Sequence, residues 1–166
     1  QEELRRVLKD CINQLVSHGE IFDSVCFSIA LPRPVKSPEE IPGSVKESFD
    51  LIQERLVRGT GRVLERMSEG TYLNEQNFPE KYLRGIKHAI EVMSTEEADQ
   101  VVNRIYEKIR DMRDVHGSEI FELVSVCANL FLSQVEIPDR SEVEQEFKEQ
   151  ISQCSSADKI FDKLKE

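Results

Sequence analysis

Residues 118–136 read SEIFELVSVCANLFLSQVE. Ile120, Phe121, Leu123, Val124, Val126, Cys127, Leu130, Phe131, Leu132 and Val135 leave hardly a face of the helix without an apolar side chain. A helix apolar nearly all round is stable in water only when other elements surround it. Glu122, Ser125, Asn129, Ser133 and Gln134 interrupt the run, so it falls short of the roughly 20 apolar residues that cross a bilayer. The stretch predicts the central core helix of an all-α protein, ended by Pro138.

Helical spacing continues on both sides. Ser94 and Glu97 stand at the capping-box interval and open a helix carrying Ala98, Val101, Val102, Ile105, Ile109 and Met112, which is expected to end near His116-Gly117. Before it, Pro79 suits a first helical turn, and Tyr82, Leu83, Ile86, Ala89, Ile90 and Met93 share one face. After Pro138, Val143, Phe147 and Ile151 mark one helix and Ala157, Ile160, Phe161 and Leu164 another, with Ser141 and Ser156 as caps.

In the first third, residues 2–18 place Leu4, Val7, Leu8, Cys11, Ile12, Leu15 and Val16 on a broad stripe that Gly19 ends. Such a stripe packs in a bundle or pairs with a copy of itself. Ile21, Phe22, Val25, Cys26, Ile29 and Ala30 repeat the helical step up to Pro32; apolar residues do not alternate cleanly there, so helix is favoured over strand. Residues 32–43 hold Pro32, Pro34, Pro38, Pro42 and Gly43 and predict a long surface loop. Ser44 with Glu47 then opens a helix bearing Val45, Phe49, Ile52, Leu56 and Val57. Gly59 and Gly61 break or kink it before a short piece with Val63, Leu64 and Met67.

The expectation is one domain over 1–166, an irregular bundle of eight or nine helices around 118–136. The serine caps at 44, 94 and 141 recur at an interval that also suits paired-helix arrays, so a short HEAT-like array is the alternative. The chain opens at Gln1 and is expected to be cut from something longer or processed.

Lys and Arg total 22 against 32 Asp and Glu, a net charge of −10, and hydrophobic residues make up 39%. That hydrophobic share supports a continuous core. The charge disfavours nucleic acid and anionic membranes as partners, since both demand a basic surface. It is unevenly spread: −3 over residues 1–55, +1 over 56–93 and −8 over 94–166. Arg55, Arg58, Arg62 and Arg66 recur at steps of three and four; a helix running through the glycines would align four guanidiniums on one face. Such a face suits an acidic or phosphorylated segment. The competing reading pairs these arginines with Glu54, Glu65 and Glu69, or with the acidic C-terminal half. Lys81, Arg84 and Lys87 form a second, looser set, while the acidic C-terminal half would favour a basic partner.

Motifs for chemistry are missing. No CxxC occurs, and His18, His88 and His116 are scattered, whereas zinc needs four converging ligands. No EF-hand loop is present, Gly59-Thr60-Gly61 lacks the P-loop spacing, and there is no Gly-x-Ser-x-Gly elbow. Cys11, Cys26, Cys127 and Cys154 lie among apolar helical neighbours and read as reduced core residues. The sequence therefore predicts a non-enzymatic, cofactor-free, cytoplasmic scaffold or regulatory domain that binds a protein partner through helix faces. Two alternatives stand beside it: a helical enzyme or small-ligand carrier with a pocket beside 118–136, and a secreted four-helix signalling protein with two disulfides. Self-association through the 2–18 helix would make it a homodimer.

Overall fold

The computed structural model describes residues 2–17, 27–65, 73, 80–112, 114–134 and 139–166. In chain order these form α1 (Glu2–Ser17), β1 (Ser28–Ala30), a 3-10 turn (Pro38–Glu40), α2 (Ile41–Gln53), the single-turn α3 (Arg55–Arg58), β2 (Arg62–Leu64), α4 (Lys81–Glu91), α5 (Thr95–Asp111), α6 (Gly117–Gln134), α7 (Arg140–Ser152) and α8 (Ala157–Lys165). The chain is mostly helical, as expected.

α6 is the hub. It touches α2, α3, α4, α7 and α8, and its buried residues Gly117, Ile120, Leu123, Val124, Cys127 and Ala128 follow the three-four spacing of one helix face. The same buried cluster takes in Ile86 of α4, Val102, Ile105 and Ile109 of α5, Ile151 of α7, and Ile160 and Phe161 of α8. Burying each such side chain contributes about 1.5–3 kcal/mol. The helix is not enclosed all round, however. Phe121, Leu130 and Phe131 are only partly buried and Val126 is exposed.

Local capping signals divide into two groups. Ser94 Oγ accepts from Glu97 N–H at 3.2 Å and Ser156 Oγ from Lys159 N–H at 3.4 Å, both at the expected positions. Ser44 and Ser141 cap nothing. Pro42 sits in the first turn of α2, where its missing N–H costs no bond, so the helix begins at Ile41 and takes in part of the proline-rich stretch. The position before α7 belongs to Asp139, in the left-handed region at φ 59°. With two of the three serines inside helices, the cap spacing behind the HEAT-like alternative disappears.

Two segments read as helix contain strand instead. Ser28–Ala30, within the apolar piece 21–30, pairs in parallel with Arg62–Leu64, in register Ser28↔Arg62, Ile29↔Val63 and Ala30↔Leu64. Leu31 N–H to Leu64 O at 2.8 Å and Gly61 N–H to Phe27 O at 2.7 Å extend the ladder. Gly59 and Gly61, at φ 80° and 78°, turn the chain out of α3 into β2. Parallel pairing needs a crossover between the strands, and α2 with α3 supplies it. α2 lies against β1 and α1 against β2. These strands lower the count among the described residues to seven helices of nine residues or more, plus the four-residue α3. α5 also ends earlier than the sequence suggests, at Asp111, leaving His116 outside it.

Candidate functional site

The least ordinary surface lies on α2. Its apolar residues divide between a buried side and an exposed one. One side carries Leu51, which is fully buried; α2 lies against α6 and β1. The other carries Ile41, Val45 and Phe49, each one turn after the last, at 50%, 49% and 65% exposure. This ridge is about 12 Å long at 1.5 Å per residue. Val35, in the segment leading into α2, is also exposed. That segment is fastened by Arg33 Nε to Glu47 Oε1 at 3.2 Å and by Lys36 N–H to Glu40 Oε2 at 2.9 Å. Phe49 further borders a depression of about 500 Å³ with Ser28, Ile52, Gln53 and Thr60. An aligned row of exposed apolar side chains with an aromatic among them is the composition of a protein contact surface. Sequence reasoning placed Val45 and Phe49 on this helix without saying which of its sides is covered. The one available signal was that the apolar arc of α2 is wider than a single helix contact covers.

Behind the ridge sits a buried polar junction. Glu54, fully covered, links α2 to α3. Its Oε1 accepts the Gly117 N–H at 3.0 Å and lies 3.4 Å from His116 Nδ1, while Arg58 Nε stands 3.3 Å from Oε2. The carboxylate thus satisfies a donor at the α6 N-terminus, where the helix dipole favours negative charge. Beside it Arg55 is buried and donates to the carbonyls of Cys154, Ser152 and Ile52 and to Gln53 Oε1. Burial lowers the pKa of this guanidinium. At 2% and 0% exposure, His116 and Glu54 are out of reach of a substrate. Their chemistry is structural.

The arginine series is not a helical face. Arg55 ties α3 to the α7–α8 turn and Arg58 pairs with Glu54, as the competing reading had it for that residue. Arg62 lies on β2 with an exposed side chain, and Arg66 falls outside the described residues. The helix stops at Arg58 because Gly59 takes a positive φ. On α4, Arg84 faces Glu80 at 3.8 Å; His88 is exposed, 4.0 Å from Glu97. His18 and Cys26 lie outside the described residues.

Cys11, Cys127 and Cys154 are thiols, so the two disulfides of the secreted alternative are not formed. Cys127 is fully buried, and desolvation pushes its pKa up to about 12. Of these three, Cys11 alone is expected to react with a thiol reagent in the folded protein at about pH 8, with Cys127 silent until denaturant is added. Time-resolved labelling with mass detection checks this; prompt modification of Cys127 would contradict the packing of α6. No group of three or more His, Cys, Asp or Glu able to hold a metal occurs among the described residues. None of the described helices is long and apolar enough to cross a membrane.

A second concavity, of about 370 Å³, lies beside the C-terminal half of α6, walled by Val102, Ala128, Phe131, Leu132, Val143 and Phe147. Fold and surface together define a mostly helical chain with an exposed apolar ridge on α2. Compared with protein-family models, curated proteins and solved structures, the chain matches none of them.

Proposed function

We propose that the chain is a non-enzymatic interaction domain that binds a partner protein through a helix face, and that this face is the α2 ridge. The observation that carries the reading is the exposed row Ile41, Val45 and Phe49. Single apolar residues scattered on a surface are ordinary, but three aligned on one helix make a patch that a partner can desolvate. Phe49 is the anchor, since a few buried aromatics dominate binding energy at such contacts. Arg62 stays in this reading as an exposed cation on β2; Arg58, mostly covered and paired with Glu54, contributes less. The three thiols support a cytoplasmic setting.

Quantitative affinity capture from cell extract tests it, with wild type compared against Phe49→Asp. Because Phe49 is exposed, the substitution leaves folding intact, which circular dichroism verifies. At least one captured protein is expected to fall by about tenfold or more. Identical partner sets would remove the ridge from consideration. The concavity beside α6 favours a second reading, a small-ligand carrier, because its walls are mainly apolar.

A further inference from the structure

The groove between α4 and α5 carries a different surface, none of whose residues lies on α2. α4 and α5 approach closely at Gly85, where a Cβ would stand 3.2 Å from Val101 Cγ2. Gly85 lines a groove of about 410 Å³, with Tyr82 and Val101 in its wall. Lys81 enters from α4, and Arg104 and Lys108 from α5. Among the described residues, none of the three has a carboxylate within ion-pair distance. Glu107 and Asp111 also line the groove, yet neither pairs with them. The contacts that exist are weak: Arg104 Nη2 lies 3.4 Å from Gln100 Oε1, and Lys81 Nζ sits 5.2 Å over the Tyr82 ring. In a chain of net charge −10, three cations in one groove, outnumbering the two acids there and paired with neither, run against the general field. Lys81 is in the first turn of α4, so the positive end of that helix adds to the same sign.

We propose that this groove docks an extended, acidic segment of a partner protein, with two of its carboxylates held by Arg104 and Lys108 and another by Lys81. The spacing selects the occupant. Arg104 and Lys108 are one turn apart, about 6 Å along the axis. Alternate side chains of an extended peptide point the same way and repeat at about 6.6 Å, so an acid-x-acid segment matches the pair. The Tyr82 and Val101 surface takes the intervening side chains. Single carboxylates suit the site better than a phosphate dianion, because Glu107 and Asp111 would repel the larger charge. The proposal is independent of the α2 ridge: loss of either surface leaves the other testable.

The test is fluorescence anisotropy on the full chain with a labelled peptide alternating Glu and Val over about ten residues. Saturable binding is expected at about 0.15 M salt and weakening at about 0.5 M. The double reversal Arg104→Glu with Lys108→Glu should raise Kd by about tenfold or more, while Lys87→Glu on α4, outside the groove, should stay within about twofold. Should circular dichroism show that the reversal loosens the fold, Arg104→Gln with Lys108→Gln is expected to weaken binding in the same direction. Absence of saturable binding overturns the proposal, as does a reversal no more harmful than Lys87→Glu. A peptide with the same Glu content in one contiguous block should bind more weakly; equal affinity overturns the spacing argument. Tighter binding of a phosphoserine version, by about tenfold, assigns the groove to phosphopeptides and overturns the carboxylate assignment.

Discussion

Gly117→Ala is expected to destabilise the protein by on the order of 3 kcal/mol or more. The first residue of α6 is pressed against the end of α2, and a methyl group there would lie 1.9 Å from Gln53 O, 2.4 Å from Gln53 C and 2.9 Å from Glu54 N. All three are backbone atoms, so no side chain can swing aside. α2 and α6 would have to separate, which also breaks the Gly117 N–H bond to Glu54. Small domains are stable by about 5–15 kcal/mol in total, so the loss is large. Urea titration followed by circular dichroism measures it. Gly43→Ala is the control: it lies within α2 with nothing inside 4 Å, and the better helix former should be neutral or stabilising by about 0.5–1 kcal/mol. Equal midpoints for the two variants would show that the α2–α6 contact is looser than described.

Glu54→Ala should cost about 3–5 kcal/mol, the range for removing one partner of a buried charge pair. The carboxylate is fully buried and serves Gly117 N–H, Arg58 and His116 together. Its loss leaves a donor at the α6 N-terminus unsatisfied and Arg58 without its acid. Glu54→Gln should cost less, because an amide oxygen can still accept from Gly117 while the charge facing Arg58 is gone. The expected order of stability by chemical denaturation is wild type, Gln, Ala. A Gln variant as unstable as Ala would contradict a hydrogen-bonding role for the carboxyl oxygen.

The Glu54–Arg58 pair, four residues apart, was legible in the sequence, but the contacts of Gln53 and Glu54 with Gly117 were not, for one physical reason. Local features could be read and distant ones could not. The cap at Ser94 needs only Glu97, three residues on, and the apolar run of α6 needs only its own length. Glu54 and Gly117, or Arg55 and Cys154, meet across the whole fold, and nothing in either neighbourhood announces the other. The strands failed similarly. Three residues show no period, and Ile29 and Val63 become strand because they pair with each other, not through local preference. The arginine spacing was real, but it presumed a helix that Gly59 ends. For Val45 and Phe49 periodicity gave the right helix but not their exposure, since a wide apolar arc does not say which edge is covered.

The parallel pairing of Ser28–Ala30 with Arg62–Leu64 has a consequence for how the α2 surface meets anything that approaches it. The two strands fix both ends of the segment between them, so its ordering belongs to folding and precedes any encounter. Association at α2 would therefore involve a preorganised template, with little conformational entropy left to lose. The same closure joins residues far apart in sequence, which raises contact order and makes this corner a slow element in folding. Rigidity at the encounter and slowness in assembly are two results of one short ribbon.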